Sequence, residues 1–443
     1  MSEKFQAVII GGGPGGYVCA IQISKLGGKV CIVEKNGFGG TCTQRGCIPT
    51  KYLHSVADIV RKMSMSKAYG IDSKIDLNYK ILKSKMLTTV TKLASGIELL
   101  LKGNGVEIVE GEAEIISSNK VKVDNKILET KNIVIATGSI PVSLAGYDFK
   151  EKILSTDTFW NVEELPKSIA VIGGGYSGCE FASILNVLGC KVWLVEMEEI
   201  LMPDHPQEIG NTLEKYMRID GITVLTNSKV EKITEQGILI NGENIDVEKI
   251  LVCVGRKPNT NSDELKKLGI EFNSKGINVN KKMLTSISNI YAIGDITGKY
   301  ELAHVASKQG EVVAHNIMGQ NSEMDYSIIP FCVFTFPEVA FVGDCSGKSG
   351  EFPLRANAKA NCLGDTRGFL KVFEKNGICV GTIIIGTRAS ELIGEATLAI
   401  KTQLKTEKFL EIIHAHPTLA EAFTEALRDI DGQSIHLPPR TES

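Results

Sequence analysis

The chain has 443 residues, 43% of them hydrophobic and 23% charged, with a formal net charge of −3. That length calls for two to four domains with separate cores. The balanced charge and the lack of a basic run exclude a nucleic-acid binder, and the most apolar stretch, Ala7 to Val33, is cut by Gly11, Gly12, Gly13, Pro14, Gly15 and Gly16, so it is not a membrane span.

The first predicted element is a buried parallel strand through Val8, Ile9 and Ile10, followed by "GGGPGG" and a helix. In this pattern Gly11 permits the tight turn, Gly13 lets backbone approach a pyrophosphate, and Gly16 lets helix and strand pack closely. The phosphates then sit on the free N–H groups of the helix N-terminus. Glu34 ends the next strand, placed for a ribose hydroxyl. No basic n-region or cleavage site accompanies the apolar run, so the expected location is the cytoplasm.

Next comes "GGTCTQRGCIPTK", Gly39 to Lys51, which puts Cys42 and Cys47 close together. Three readings compete: a bridge, two zinc ligands, or two packed thiols. A regular helix would separate the pair by about 7.5 Å along its axis, and bridgeable Cα pairs lie below roughly 7 Å. A bridge therefore needs a bend, which Gly46 and Pro49 offer; Pro49 has no N–H and frees the carbonyl of Arg45. A bridge closed over such a bend would be a reducible one. Zinc would need two more ligands, and the seven histidines show no suitable cluster. Lys51, one turn beyond Cys47, supplies a cation that lowers a thiolate pKa or meets a negative flavin. The other cysteines, such as Cys19, Cys31, Cys190 and Cys253, sit singly in apolar runs and read as buried small hydrophobes.

Further on, "NIVIATGS" predicts a buried strand that ends in a turn at Gly138. "AVIGGGYSGCEFA" then repeats the first motif: Gly173, Gly175, Gly178 and Glu196 stand 162 positions after Gly11, Gly13, Gly16 and Glu34. Two matching copies in register are a far stronger signal than one, so the chain is expected to bind two dinucleotides. Glu196 is followed by Met197, Glu198 and Glu199, which would repel a 2′-phosphate and favour NAD over NADP. Glu180, just past the second motif, is a candidate ion-pair partner for Lys51. "KILVCVGRKPN", with Gly255 at its turn, and "NIYAIGDIT", ending in Asp295, are further buried strands. Asp295 stands where open α/β sheets bind ligands.

After about Asp325 the pattern changes to short strands, "SIIPFCVFTFPEVAFVG", "GFLKVFE" and "GICVGTIIIG". Two helices follow, "ASELIGEATLAIKTQ" and "TLAEAFTEALRDI". Between them "HAHPTLAEAF" offers a base. His416 with Glu421 makes a pair in which the carboxylate raises imidazole basicity and fixes its tautomer. Such a base would generate the attacking thiolate of a thiol–disulfide exchange. His414 is a neighbouring decoy, read as structural.

Together "GGTC…GCIPTK", the paired glycine motifs and "HAHPTLAEAF" resemble the flavin-dependent pyridine nucleotide–disulfide oxidoreductases over nearly the whole chain. The resemblance is strongest to members that oxidise dihydrolipoyl groups on proteins of the 2-oxo acid dehydrogenase or glycine cleavage systems. It implies an α/β fold with two Rossmann-like domains and a C-terminal α+β dimerisation domain. The implied segments are 1–145 and 269–325 for FAD, 146–268 for NAD and 326–443 for the interface of a homodimer. FAD would lie among Gly11, Gly13, Gly16, Glu34, Lys51, Gly138 and Asp295. NAD would lie at the second motif, with Glu180, Glu196 and Gly255 near it. Cys42 and Cys47 would form a redox disulfide, with Cys47 beside the flavin and Cys42 exchanging with substrate. His416, backed by Glu421, would come from the other subunit. Two features depart from the family pattern. The segment after "EVAFVG" is short where a helix is usual, and Thr43, Gln44 and Arg45 replace the commoner Leu-Asn-Val, a change that bears on the flavin or disulfide potential.

Overall fold

The run Phe5–Ile10, β-branched at Val8, Ile9 and Ile10, becomes a central strand, buried at nearly every position. In the computed structural model, which describes residues 4–439, it pairs in parallel with Val30–Glu34 on one side and Lys126–Ile135 on the other. Glu107–Glu110 extends the sheet beyond Val30–Glu34, and Ile290–Ala292 lies parallel to Lys126–Ile135. A parallel sheet buried on both faces needs continuous apolar strands. Val8, Ile10, Val33, Ile133 and Ile135 meet that demand and pack with Ile290 and Ile296 in one core. The outermost residues of the first and last expected segments, 1–3 and 440–443, lie outside the described residues.

The chain divides into two compact units. One comprises Met1–Ser55, Asp76–Leu165 and Leu251–Asp325; the other Val56–Ile75, Pro166–Ile250 and Tyr326–Ser443. In the first, the helix Pro14–Lys25 returns from the central strand and packs against Ala303–Ile317. The approach is close, since a Cβ on Gly310 would stand 2.5 Å from the Gly15 carbonyl oxygen.

The second unit repeats the opening pattern. Ser168–Ile172 pairs in parallel with Lys191–Val195, which pairs with Thr223–Leu225. The helix Tyr176–Val187 follows the glycine turn, as Pro14–Lys25 follows the first. The same unit holds an antiparallel sheet in the order Phe331–Val333, Glu338–Gly343, Ile378–Gly386, Phe369–Lys375, Lys348–Pro353. The helices Ala389–Lys401 and Glu421–Asp429 cover it, and Phe352, Leu370, Ile384, Ala396 and Phe423 fill the core between. The first expected C-terminal run, "SIIPFCVFTFPEVAFVG", is thus two strands that pair with each other. The short segment after Gly343 leads directly into the edge strand Lys348–Pro353, whose Glu351 N–H is bound by the Asp429 carboxylate at 2.9 Å. Among the described residues no helix is long and apolar enough to cross a membrane.

Candidate active site

The first glycine loop shapes one wall of a cavity of about 550 Å³ in the first unit. Gly11 has φ +108°, and a Cβ there would lie 2.3 Å from the Ala136 carbonyl oxygen, so the turn admits only glycine. Gly16 stands behind the loop, where a Cβ would lie 1.9 Å from the Gly11 oxygen. In front of Gly13 the nearest atom to an added Cβ is 3.9 Å away, which leaves the room a pyrophosphate needs. The helix that starts at Pro14 has no side-chain cap, so its first N–H groups are available to an anion. Glu34 closes the loop: one carboxylate oxygen accepts from the Gly12 N–H at 2.6 Å, the other from the Asn36 N–H at 2.6 Å. Gly11, Gly13, Glu34, Gly138 and Asp295 all line the cavity, and Cys42 and Cys47 line it too. These residues fit a flavin dinucleotide.

The expected bend between the cysteines is a complete break. Gly40–Arg45 is one helix, Gly46 leaves helical geometry at φ −127° and ψ −106°, and Cys47–Ser64 begins a second helix. Pro49 falls in the first turn of that second helix, where its missing N–H does no harm. The carbonyl of Arg45 that Pro49 cannot serve accepts instead from the Trp160 indole N–H at 2.7 Å. A Cβ on Gly46 would sit 2.9 Å from the Thr41 carbonyl oxygen. Gly46→Ala is therefore expected to cost about 1–3 kcal/mol of stability through overpacking, measured as a lower denaturant midpoint.

Cys42 and Cys47 stand as a thiol pair, and the hydrogen bond to Cys47 holds the Cys42 proton on; burial, the Cys47 charge and Asp295 push the same way, while Lys51 opposes them. The net effect is a Cys42 thiol well above the usual range. Cys47 begins an 18-residue helix, a position where the helix dipole favours a thiolate. The surroundings of the two sulfurs are thus asymmetric: Cys42 lies within the short helix Gly40–Arg45, and Cys47 stands at a helix N-terminus. Asp295, in the short turn Gly294–Thr297 past its strand, is pushed up by burial, against the pull of the Ser139 hydroxyl and Arg256.

The second glycine motif copies the first in detail. Gly173 has φ +107°, the Gly174 N–H donates to the Glu196 carboxylate at 2.5 Å, and the helix after Gly175 is likewise uncapped. Gly178 is buried in that helix's first turn. Met197, Glu198 and Glu199 are exposed beyond Glu196. Glu180 is buried in this unit and accepts from the Phe334 N–H at 3.0 Å. Gly255 belongs to the first unit, where its carbonyl accepts from Val142 N–H at 3.1 Å.

In the second unit His416 Nδ1 bonds Glu421 Oε1 at 2.9 Å, and Glu421 Oε2 accepts from the Thr418 N–H at 2.8 Å. A carboxylate only accepts, so Nδ1 bears the proton of this bond. The His416 side chain is 71% exposed. Burial raises the Glu421 carboxyl, but the Thr418 N–H and the charges of His416 and His436 outweigh it and hold it below the usual range. His414 is the structural one: it bonds Glu395 at 2.8 Å and stacks on Phe409 at 5.9 Å.

Several residues around the cavity escaped the sequence reading. Arg45 pairs with Asp157 at 2.8 Å, Asp157 with Arg256 at 2.9 Å, and Arg256 donates to Ser139 Oγ at 2.8 Å. Ser139 in turn donates to Asp295 at 2.6 Å. The chain of contacts joins the turn that carries Cys42 and Cys47 to the Asp295 turn. Glu301 opens to the same cavity, and burial with Asp295 repulsion pushes its carboxyl up to about 7 against Arg256. Only the "GRKPN" turn hinted at Arg256; Asp157 and Trp160 carried no local signal.

Two family models match this chain. One described as pyridine nucleotide-disulphide oxidoreductase spans residues 5–310, and one described as the dimerisation domain of the same family spans 329–427. Dihydrolipoyl dehydrogenase of Geobacillus stearothermophilus is 39% identical over 457 residues, covering 98% of this chain and 97% of that one. Dihydrolipoyl dehydrogenase of Chlamydia pneumoniae is 37% identical, with 100% of each chain covered. Among solved structures, the HOCl-induced flavoprotein disulfide reductase RclA of Escherichia coli matches with a TM-score of 0.86 at 26% identity, over 96% of this chain and 99% of that one. LpdA of Mycobacterium tuberculosis shares the fold with a TM-score of 0.88 at 24% identity, over 95% and 99%.

Proposed function

The chain belongs to the pyridine nucleotide-disulphide oxidoreductase family, and from that premise we propose that it oxidises dihydrolipoyl groups with NAD⁺ through the Cys42–Cys47 pair. The observation that carries this reading is the thiol pair on the wall of the cavity shaped by Gly13, Glu34, Gly138 and Asp295. The full-length likeness to dihydrolipoyl dehydrogenases supports it. FAD and NAD are the cofactors of this family, FAD at the first glycine loop and NAD at the second.

In the oxidised enzyme a dihydrolipoyl thiolate attacks the Cys42 sulfur, and Cys47 leaves as a thiolate at its helix N-terminus. The second lipoyl thiol then displaces Cys42, its proton passing to the departing Cys42 sulfur. The substrate leaves as a cyclic disulfide, and the enzyme holds two electrons as its dithiol. His416 Nε2 takes the proton from the attacking thiol, with Glu421 stabilising the imidazolium. Bound FAD would relay the electron pair from Cys47 to NAD⁺, yielding NADH and a proton. Lys51 favours the thiolate form of Cys42.

The dimerisation domain supports a homodimer, with His416 serving the partner's Cys42. The segments 1–145 and 269–325 act as the FAD domain, 146–268 as the NAD domain and 326–443 as the interface. The substrates are lipoyl-bearing proteins of 2-oxo acid dehydrogenase or glycine cleavage systems. Buried single cysteines such as Cys19, Cys31 and Cys190 support a reducing, cytoplasmic setting. The rival is another disulfide reductase, for glutathione or coenzyme A disulfide, or less favoured a non-catalytic subunit of a complex; the acidic residues Glu196, Glu198 and Glu199 stand against the NADPH-using glutathione type.

Steady-state turnover of the FAD-loaded protein decides between them. Dihydrolipoamide with NAD⁺ should exceed oxidised glutathione with NADPH by at least about a hundredfold in kcat/KM, or about 2.7 kcal/mol of transition-state stabilisation. The reverse preference would remove the dihydrolipoyl reading.

A further inference from the structure

Arg45 lies between the two cysteines and is gripped at both ends. Its guanidinium Nε donates to Asp157 Oδ2 at 2.8 Å, and its carbonyl accepts from the Trp160 indole N–H at 2.7 Å. Both partners come from one short segment, 112 and 115 positions away in sequence. That segment is itself rigid. The Ser155 hydroxyl accepts from the Asp157 and Thr158 N–H groups at 3.2 and 3.1 Å, and Ser155 N–H donates to Thr158 Oγ1 at 2.9 Å. Trp160 is 7% exposed and meets the fully buried Phe159 edge-on, with ring centroids 5.4 Å apart. The other Asp157 oxygen is tied to Arg256, which is locked to the Ser139 hydroxyl and carbonyl at 2.8 and 2.9 Å. The grip is therefore anchored to the paired short strands Ser139–Pro141 and Arg256–Pro258.

We propose that the segment from Asp157 to Trp160 is a clamp on the redox turn, and that by fixing Arg45 it keeps Cys42 and Cys47 within reach and so strengthens the bridge between them. The inference rests on the redox reading of that pair. The Gly46 break leaves the turn without a continuous helix to hold it. A loose turn would spend time in conformations with the sulfurs apart, and closing the bridge would then cost more chain entropy. The clamp removes those conformations in advance. Its action is positional rather than electrostatic: Asp157 matches the Arg45 charge, and the charges that act on Cys42 are those of Cys47, Lys51 and Asp295. Asp157 and Trp160 are positioning residues that act through Arg45.

The test is a redox titration of the FAD-loaded enzyme in anaerobic buffers of graded oxidised-to-reduced dithiothreitol ratio. The Cys42 and Cys47 thiols are trapped by alkylation and counted by mass spectrometry. Asp157→Asn and Trp160→Phe should each lower the equilibrium constant for the bridge about three- to tenfold, a rise in potential of about 14–30 mV. The double variant should fall short of the product of the two, because both act on one residue. Arg45→Gln, at a side chain 32% exposed, should move the potential in the same direction, and it decides the matter if Asp157→Asn does not fold. A role confined to stability would lower the unfolding midpoint and leave the potential in place. Potentials that coincide with the parent, or that become more negative, overturn the clamp. If the parent's own thiols stay alkylatable at every ratio, the redox reading fails instead, so the two failures are distinct.

Discussion

Cys42→Ser is expected to reduce dihydrolipoamide oxidation by about four to six orders of magnitude, the loss typical of removing a covalent reaction centre. Electron transfer from NADH to an artificial dye should stay within about twofold of the parent. The division follows from the asymmetry of the pair. Cys42 belongs to the short first helix and keeps its proton, held by the bond to Cys47 and by burial. Cys47 begins the second helix, with Lys51 one turn on. A serine at 42 is nearly isosteric, so the Gly46 break and the Trp160 bond should persist and the cavity should still take FAD. What disappears is the sulfur at which a substrate thiolate can form a mixed disulfide. The dye reaction needs only the two dinucleotide sites and does not pass through that sulfur. The decisive measurement is the ratio of the two rates on one preparation with matched flavin content. Full lipoamide activity in the serine variant would show that the pair does not act in the reaction.

The glycine motifs are legible because their demands are local. Gly11 and Gly16 stand where a Cβ would meet backbone within a few residues' reach or across one strand, and a second copy at a constant offset repeats the demand. The acidic residues Glu34 and Glu196 are legible as positions, but their bonds to the Gly12 and Gly174 N–H groups arise only when strand and loop are brought together. The break at Gly46 is readable from Gly46 and Pro49. The fate of the freed Arg45 carbonyl is not, because its donor lies 115 positions away and an indole N–H has no preferred sequence partner. The edge strand Lys348–Pro353 is hidden for a different reason. Its first residues, "KSGE", lack the alternation of a half-buried strand. It is held by pairing with Phe369–Lys375 and by the Asp429 carboxylate, both nonlocal. Local stereochemistry is written into neighbouring residues, whereas the partners that complete it come from whichever element the topology delivers.

His416→Gln should lower kcat for dihydrolipoamide by about two to four orders of magnitude, the range for loss of a positioned general base, again with NADH-to-dye transfer retained. The base must supply a thiolate from a substrate thiol whose ordinary pKa lies well above neutrality. His416 suits the task because Nδ1 is committed to Glu421 and the ring is largely exposed, leaving Nε2 to act. Glutamine keeps a hydrogen-bonding side chain but has no group that accepts a proton near neutral pH. Glu421→Gln should be milder, about ten- to a hundredfold, as for other groups that orient a histidine. Its amide would keep an oxygen for the Thr418 N–H yet lose the charge that stabilises the imidazolium. That pair also contributes to folding with a definite sign. The folded Glu421 carboxyl titrates below its unfolded value, so the contribution is present above the ordinary glutamate range and is lost as pH falls through the lower folded value. Near neutral pH the two variants therefore differ chiefly in chemistry, and steady-state kcat with matched dimer and flavin content separates them. A His416→Gln enzyme within about tenfold of the parent would assign proton removal to another group, and a Glu421→Gln loss as large as that of His416→Gln would mean that the carboxylate does more than orient the ring.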